Sequence, residues 1–460
     1  MRFVKSVKPA AAAISLISAG IPKSLDISST TSVQSVAKTI AQNTMSFYKG
    51  TDDQFVDLDA PYYWWQCGAM MGSMLDYSHY TGDHTYDKKI ATAIVAQAGP
   101  DFDFMSPAHA GQEGNDDQAF WGFTVLAAAE RNFPQPRSDI PGYLELGENI
   151  WKSLASRWDT STCNGGLRWQ IFASNPNGLD YKNAVSNGGF FQLSARLARI
   201  TGNQTYVEWA NKVWDWTQGT GIINEYYQVL DGASSAKNCS DVSAAHTPSF
   251  SYSQGIYTYG AAVMANISTG ADQDKWTDRT KRLLESSQNY FTPFGDVKNS
   301  TDVMYEHACE HIDICNTDMR SFKGYFSRFV YASKIMVPSI KPTVDRLLHT
   351  SAKAAAQGCQ GGSQGTMCGT KWYVDGFYGD AGLGEQMSAL ETIQGILIDQ
   401  ANPPLMGDDI KTTSSDETPP AGNESPKTSS GSLESVASGV NEVNYQWLLW
   451  IYGLACVLGL

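Results

Sequence analysis

Three times this chain closes an apolar stretch on Thr-Gly and opens an amphipathic one within a few residues: Thr81-Gly82-Asp83, Thr201-Gly202-Asn203 and Thr269-Gly270-Ala271. Glycine past a last helical turn reaches the left-handed conformation that caps it, and a nearby Asp, Asn or Thr starts the next helix. Each unit therefore reads as a helical hairpin. Its first helix is the more apolar; residues 62–80 are apolar almost throughout, which requires protein on every side. Its second helix is amphipathic. Hairpins of that kind stack an inner layer inside an outer one. Helical spacing recurs at residues 32–47 (Val33, Val36, Ile40, Met45), from near Thr85, and at 118–132, 143–158, 193–200, 206–216, 257–268, 275–284, 319–334, 343–356 and 384–401. Residues 166–170 and 372–374 are the strand candidates. About a dozen helices in hairpins predict an all-α fold, an α/α toroid of two concentric layers, rather than a four-helix bundle. An open solenoid of the same hairpins satisfies the same spacing, because no spacing closes a ring.

The two ends of the 460-residue chain read differently from its middle. In residues 1–20, Arg2, Lys5 and Lys8 precede a short run of small apolar residues, the pattern of a signal peptide cleaved near Ala19 or Gly20. Residues 21–405 hold the helical domain. Residues 406–446 are rich in Ser, Thr, Pro, Gly and acids, a solvated stalk. Residues 447–460 carry no charge, and such a tail of about 14 residues falls short of the ~20 that a membrane span needs. Small residues, a polar spacer and a terminal apolar tail form a glycolipid (GPI) attachment signal, with Ser435 the expected attachment residue because Ala437 fills the third small position. The expected location is the cell surface, held to the membrane through that anchor.

A secretory route favours disulfides. Of eight Cys, Cys456 lies in the tail, and the remaining seven leave at least one unpaired. Proximity predicts bridges Cys309–Cys315 and Cys359–Cys368, a longer one Cys163–Cys239, and Cys67 as a buried free thiol. A zinc site would need Cys-x-x-Cys or paired-His spacing, which these positions lack. Glycosylation sequons stand at Asn203, Asn238, Asn266, Asn299 and Asn423. A formal charge of −14 without a basic patch excludes nucleic acid as a partner.

In a toroid the loops entering the apolar helices gather at one rim, where function would sit. Asp116-Asp117 lies in such a loop, where Gly111 to Gly114 gives way to an apolar helix. Two adjacent carboxylates can serve as nucleophile and acid on one sugar bond; as a bare string, Asn115-Asp116-Asp117 equally fits a helix cap favoured by the dipole. The chain holds 13 Trp and 22 Tyr, and such rings either stack on the apolar face of a pyranose or fill the core. Trp64, Trp65, Trp169, Tyr252 and Trp372 are stacking candidates on that basis. Arg168, Asn187, Gln254, Asp313 and Asp375 are hydrogen-bonding candidates on rim loops, with turn-forming or ion-pair roles as the competing reading. Glu385 is as much a helix-start acid as a ligand. His109 and the His307/His311 pair, with Glu306 and Glu310 beside them, raise a metal site, but a bridged loop at Cys309–Cys315 fits the spacing better. Neither a metal nor another cofactor is expected.

Several strings in this order resemble glycoside hydrolase family 76, the endo-1,6-α-mannosidases, and within it the fungal GPI-anchored cell-wall branch. They are Leu-Asp-Ile near residue 26, Tyr-Tyr-Trp-Trp at 62–65, Tyr-Thr-Gly-Asp at 80–83, Asn-Asp-Asp-Gln at 115–118, Asn-Gly-Gly at 187–189 and Tyr-Ser-Gln-Gly at 252–255. The resemblance covers roughly residues 25–400. It implies an (α/α)6 barrel, Asp116 as nucleophile, Asp117 as general acid/base, and a retaining double displacement on α-1,6-linked mannose of mannan or of the GPI core. For the fungal branch it further implies transfer of GPI-anchored proteins onto wall β-glucan. Water in place of the second sugar would make the same site a mannanase, and a non-catalytic mannan-binding protein is the reading from another class. Neighbouring residues have Cα atoms about 3.8 Å apart, so diverging side chains can reach the 5–5.5 Å carboxyl separation of retaining enzymes.

Overall fold

The computed structural model describes residues 24–411 apart from 136, 176 and 294–299. The signal peptide, the stalk beyond Lys411, the terminal tail, Ser435, Asn299 and Asn423 lie outside the described residues, whereas the first six residues assigned to the stalk, 406–411, fold onto the barrel. Among the described residues twelve α-helices alternate between two layers. The inner layer comprises α2 (Trp64–Thr81), α4 (Asn115–Ala129), α6 (Ala184–Thr201), α8 (Ser251–Ile267), α10 (Phe322–Met336) and α12 (Leu383–Gln394). The outer layer comprises α1 (Thr30–Met45), α3 (Asp87–Ala96), α5 (Tyr143–Ser156), α7 (Gln204–Gly219), α9 (Gly270–Ser286) and α11 (Lys341–Gly358). Each inner helix packs on the next, and α12 packs on α2. That last contact closes the ring, so the fold is an (α/α)6 barrel and the open solenoid is excluded.

Burial follows the layers. Residues of α4 from Gln118 onward are buried on every face, whereas α9 buries only Trp276, Thr280, Leu283 and Leu284. Inner helices approach closely where glycine removes a side chain. A Cβ on Gly255 of α8 would stand 2.8 Å from the Phe326 Cα of α10, and one on Gly324 of α10 would stand 3.0 Å from the Ser388 Cα of α12. No helix of the described residues is long and apolar enough to cross a membrane.

Local chemistry explains where the elements start and stop. Gly82 (φ 72°) and Gly202 (φ 69°) are left-handed C-caps of α2 and α6, as the Thr-Gly punctuation requires. The third instance differs: α8 ends at Ser268 in extended backbone, and Gly270 is the first residue of α9. Helices α6 and α8 begin earlier than apolar spacing indicates, because their first turns carry Asn, Gly, Ser and Gln that face neighbouring loops. Neither strand candidate is a strand. Of residues 166–170 only Gln170 forms an isolated bridge, with Gly114, and the paired strands are β1 (Tyr181–Asn183) and β2 (Gly232–Ser234), antiparallel with Asn183 opposite Gly232. Bridges join Cys163–Cys239, Cys309–Cys315 and Cys359–Cys368, and Cys67 is free and buried in α2. Asn238 is exposed; Asn203 and Asn266 engage their side-chain oxygens with Thr205 and Arg199.

The far end of the ring is held by paired charges. Asp76 lies between Arg131 and Arg328, and Glu130 takes two hydrogen bonds from Arg196. Residues 401–411 cross this end: Leu405 donates to the Glu130 carbonyl, Arg199 donates to the Pro404 and Leu405 carbonyls, and Asn132 donates to the Asp409 carbonyl.

Candidate active site

All six inner helices point their N-termini at one end of the barrel, and Asp116 and Asp117 occupy the first turn of α4 there. The cap of that helix is Gly114 rather than Asn115, and Asp117 accepts the Gly114 N–H at 2.6 Å, half of a capping box. Asn115 sits inside the helix, donating to the Arg168 carbonyl and accepting from Arg157. This pins the start of α4 to the loop before β1. Asp116 accepts from the Asn183 amide at 2.8 Å through one oxygen and from the Asp117 N–H at 3.0 Å through the other. Both carboxylates remain partly exposed at the mouth.

Their surroundings separate their protonation. Burial pushes the Asp116 carboxyl up to about 7, while the Asn183 amide and backbone N–H groups pull the other way. Burial and then the neighbouring Asp116 charge push Asp117 well above the carboxylate range, against a single backbone hydrogen bond. Asp117 is thus the member that holds a proton, and Asp116 the one stabilised as an anion.

Three further carboxylates crowd the pair. Asp231, which accepts from the Tyr181 hydroxyl at 2.8 Å, is raised to about 6 by burial and bears on Asp116. Asp318, just before α10, is raised to about 6 by burial and bears on Asp117; one of its oxygens is buried without a partner. Glu113 is buried and raised to about 7 by burial. Among the described residues none of these five carboxylates forms a salt bridge. Beneath them Phe120, one turn below the pair, packs on Trp65 at 4.6 Å and on Tyr325 at 4.9 Å between ring centroids. Tyr252 stacks on Phe322 at 3.7 Å and lies close to Asp231 and Asp116.

Of the residues singled out in the sequence, Trp65 and Tyr252 line this floor and Trp169 flanks it, its carbonyl accepting the Asn115 N–H at 2.9 Å. Others are corrected. Trp64 is buried, bonded to Gln97 and stacked against His109, so no ring face is left for a sugar. Asn187 is fully buried and clamps both the N–H and the carbonyl of Leu167. Gln254 is fully buried and bonds Val229, Tyr227 and Leu283. Trp372 is buried beneath the Lys323 ammonium. The Arg168 guanidinium is engaged by Asp159 within its own loop. Asp313 and Asp375, by contrast, need no correction: both stay on exposed loops, Asp313 beside Lys371 and Asp375 before α12. Glu306 bonds the Ser251 N–H at the start of α8, and Glu310 pairs with Lys323 at 2.7 Å. Asn183, Asp231, Asp318, Glu113 and Tyr181 lie in no motif that marks them in the sequence as site residues. The usable signal is position: Asp318 stands just before an inner helix, Asn183 caps one, and Asp231 directly precedes the strand paired with the Asn183 segment.

The model of glycosyl hydrolase family 76 matches residues 32–408. The chain belongs to that family. Mannan endo-1,6-alpha-mannosidase DCW1 of Candida albicans is 42% identical to this family 76 hydrolase over 390 residues, 84% of each chain. Its counterpart in Saccharomyces cerevisiae is 43% identical over 376 residues, 80% of each chain. Among solved structures, Dfg5 from Chaetomium thermophilum in complex with glucosamine matches with a TM-score of 0.78 and 38% identity, covering 84% of this chain and 95% of that one. An inactive variant of a Salegentibacter α-1,6-mannanase, with two consecutive aspartates changed to asparagine and α-1,6-mannotriose bound, matches with a TM-score of 0.61. At 17% identity, over 80% of this chain and 99% of that one, this likeness speaks to the fold.

Proposed function

We propose that this family 76 hydrolase cleaves α-1,6-linked mannose with retention and passes the mannosyl unit to a second glycan. The observation that carries the reading is the asymmetric pair at the mouth: Asp116 steadied as an anion by Asn183, and Asp117 holding its proton. Asp116 attacks the anomeric carbon as Asp117 protonates the departing glycosidic oxygen, leaving a mannosyl ester on Asp116. Asp117, now a carboxylate, removes the proton from an incoming hydroxyl whose oxygen attacks the same carbon and frees Asp116. When that hydroxyl belongs to water the outcome is hydrolysis; when it belongs to a sugar the outcome is transfer.

The names of the fungal relatives supply α-1,6-mannan as the substrate class. The glucosamine complex of the Chaetomium protein supports a donor that includes a GPI-type core, and wall β-glucan is the proposed acceptor. A GPI anchor at Ser435, cleavage after residue 20 and residence at the membrane or in the wall complete the proposal. A tether raises the effective concentration of such an enzyme near its substrate.

Purified protein incubated with a GPI-type mannose glycan, with and without β-1,3-gluco-oligosaccharide, tests it by mass spectrometry. A coupled product is expected with acceptor. New reducing ends alone would leave a hydrolase, and no turnover would leave a glycan-binding protein.

A further inference from the structure

Asp116 and Asp117 stand between two side chains that face the other way. Asn115 and Gln118 are three residues apart, so they share one face of the first turn of α4. Both are buried, while the pair opens on the mouth. One guanidinium holds both. Arg157, the C-cap of α5, donates from Nε to the Asn115 side-chain oxygen at 2.7 Å and from Nη2 to that of Gln118. Its Nη1 donates to the Ser153 hydroxyl at 2.9 Å, and Ser153 donates in turn to Asp103 at 2.8 Å. The NH₂ ends of the two amides are used as well. Asn115 donates to the Arg168 carbonyl at 2.8 Å, and Gln118 to the Asp103 carbonyl at 2.7 Å. The back of this turn is thereby fixed to α5, to the loop before α4 and to the loop before β1.

Stability gives little reason for an arginine here. The dipole of α5 favours a cation at this end and that of α4 disfavours one, so the two helix ends offset each other. A buried charge is costly unless an opposite charge takes its hydrogen bonds. Among the described residues the hydrogen bonds of Arg157 end on neutral oxygens, and burial pulls its guanidinium down to about 10 despite Asp103 and Glu113 nearby. What the residue supplies is geometry. A planar fork has fixed donor directions, and a fork that grips residues 115 and 118 sets the rotation of the turn about its axis. That rotation aims the two carboxyls carried between them, and reacting groups need to be held to about 0.5 Å.

We infer that Arg157 is a positioning residue for the Asp116-Asp117 pair: acting through Asn115 and Gln118, it sets the rotation of the first turn of α4 and hence the aim of both carboxyls. The inference rests on the two-carboxylate mechanism above, so one of its measurements needs no turnover. Arg157→Met keeps the reach of the side chain without its fork, and Arg157→Lys keeps a charge without the fork. Both are compared with wild type for turnover of α-1,6-mannotetraose, for Tm and by crystallography. Expected is a fall in kcat of about 100-fold in Arg157→Met, and nearly as much in Arg157→Lys, with KM within about twofold. The Asp116 or Asp117 carboxyl should move by about 1 Å. Adding Asn115→Ala to Arg157→Met should lower kcat little further, because the two act through one contact. An arginine that only stabilises the fold would lower Tm and leave both kcat per folded molecule and the carboxyl positions as in wild type. That result would overturn the inference, and so would fully additive losses in the double variant. Displaced carboxyls beside a wild type that turns over no mannoside would sink the mechanism and leave Arg157 as the residue that holds the pair. Should Arg157→Met fail to fold, Arg157→Lys decides by the same criteria.

Discussion

At its two ends this barrel sets one acid among cations and four acids among none. At the closed end Asp76 sits between Arg131 and Arg328, whose charges hold it below the ordinary carboxylate range against the pull of burial. At the mouth Asp116, Asp117, Asp231 and Asp318 are half-buried without a cation, and all four are raised. Burial alone therefore does not set a carboxyl's role. Asp76, held between two guanidinium groups, serves the structure, whereas the half-buried acids of the mouth keep a proton available for chemistry at neutral pH.

The comparison breaks most sharply by mutation at the mouth. Asp116→Asn and Asp117→Asn should each lower turnover of α-1,6-mannotetraose by at least roughly 10³-fold while glycan binding by calorimetry persists. Near-normal turnover in either would remove the pair from the mechanism. At the closed end the effect should move from activity to stability. Asp76→Ala leaves Arg131 and Arg328 buried without their anion, which should cost about 3–5 kcal/mol in urea unfolding, with activity per folded molecule retained.

The pH profile sharpens the same contrast. Asp116 must be ionised to attack, so kcat/KM should fall as pH drops through about 7. It should fall again at higher pH, as Asp117 loses the proton it donates; the two limbs belong to the pair. A flat profile from pH 5 to 9 would contradict that. The smallest effect is a gain. The Asp318 carboxyl is raised to about 6, so the native state binds more protons than the unfolded chain between about pH 4 and 6, and stability falls as pH rises through that window. Asp318→Asn should then raise Tm by about 1–2 °C at pH 7.5 and leave it unchanged at pH 4, by differential scanning calorimetry.

Much of the barrel was legible because helix ends announce themselves locally. Gly82 and Gly202 do so with positive φ, and the apolar run of α2 placed it in the inner layer. Ring closure was not legible, since the packing of α12 on α2 joins segments some 300 residues apart and leaves no spacing signal. The Asp116-Asp117 pair stood out as two acids before an apolar helix. Its companions did not. Asp231 and Asp318 look like ordinary loop acids until the fold removes every cation from around them. Conversely, Asn187, Gln254 and Trp372 lie in the motifs and loops that the sequence marks as candidates, yet their polar or aromatic atoms are used within the barrel.

The strap of residues 401–411 has a mechanical consequence. Helix α4 has 15 residues, about 22 Å at 1.5 Å per residue, and the strap is fastened at its C-terminal end while the pair stands at its start. A pull on the chain beyond Lys411 is borne first by the bonds from Arg199, Asn132 and Leu405. The strap would have to peel before the load reached any loop of the mouth, so the pair keeps its geometry under tension.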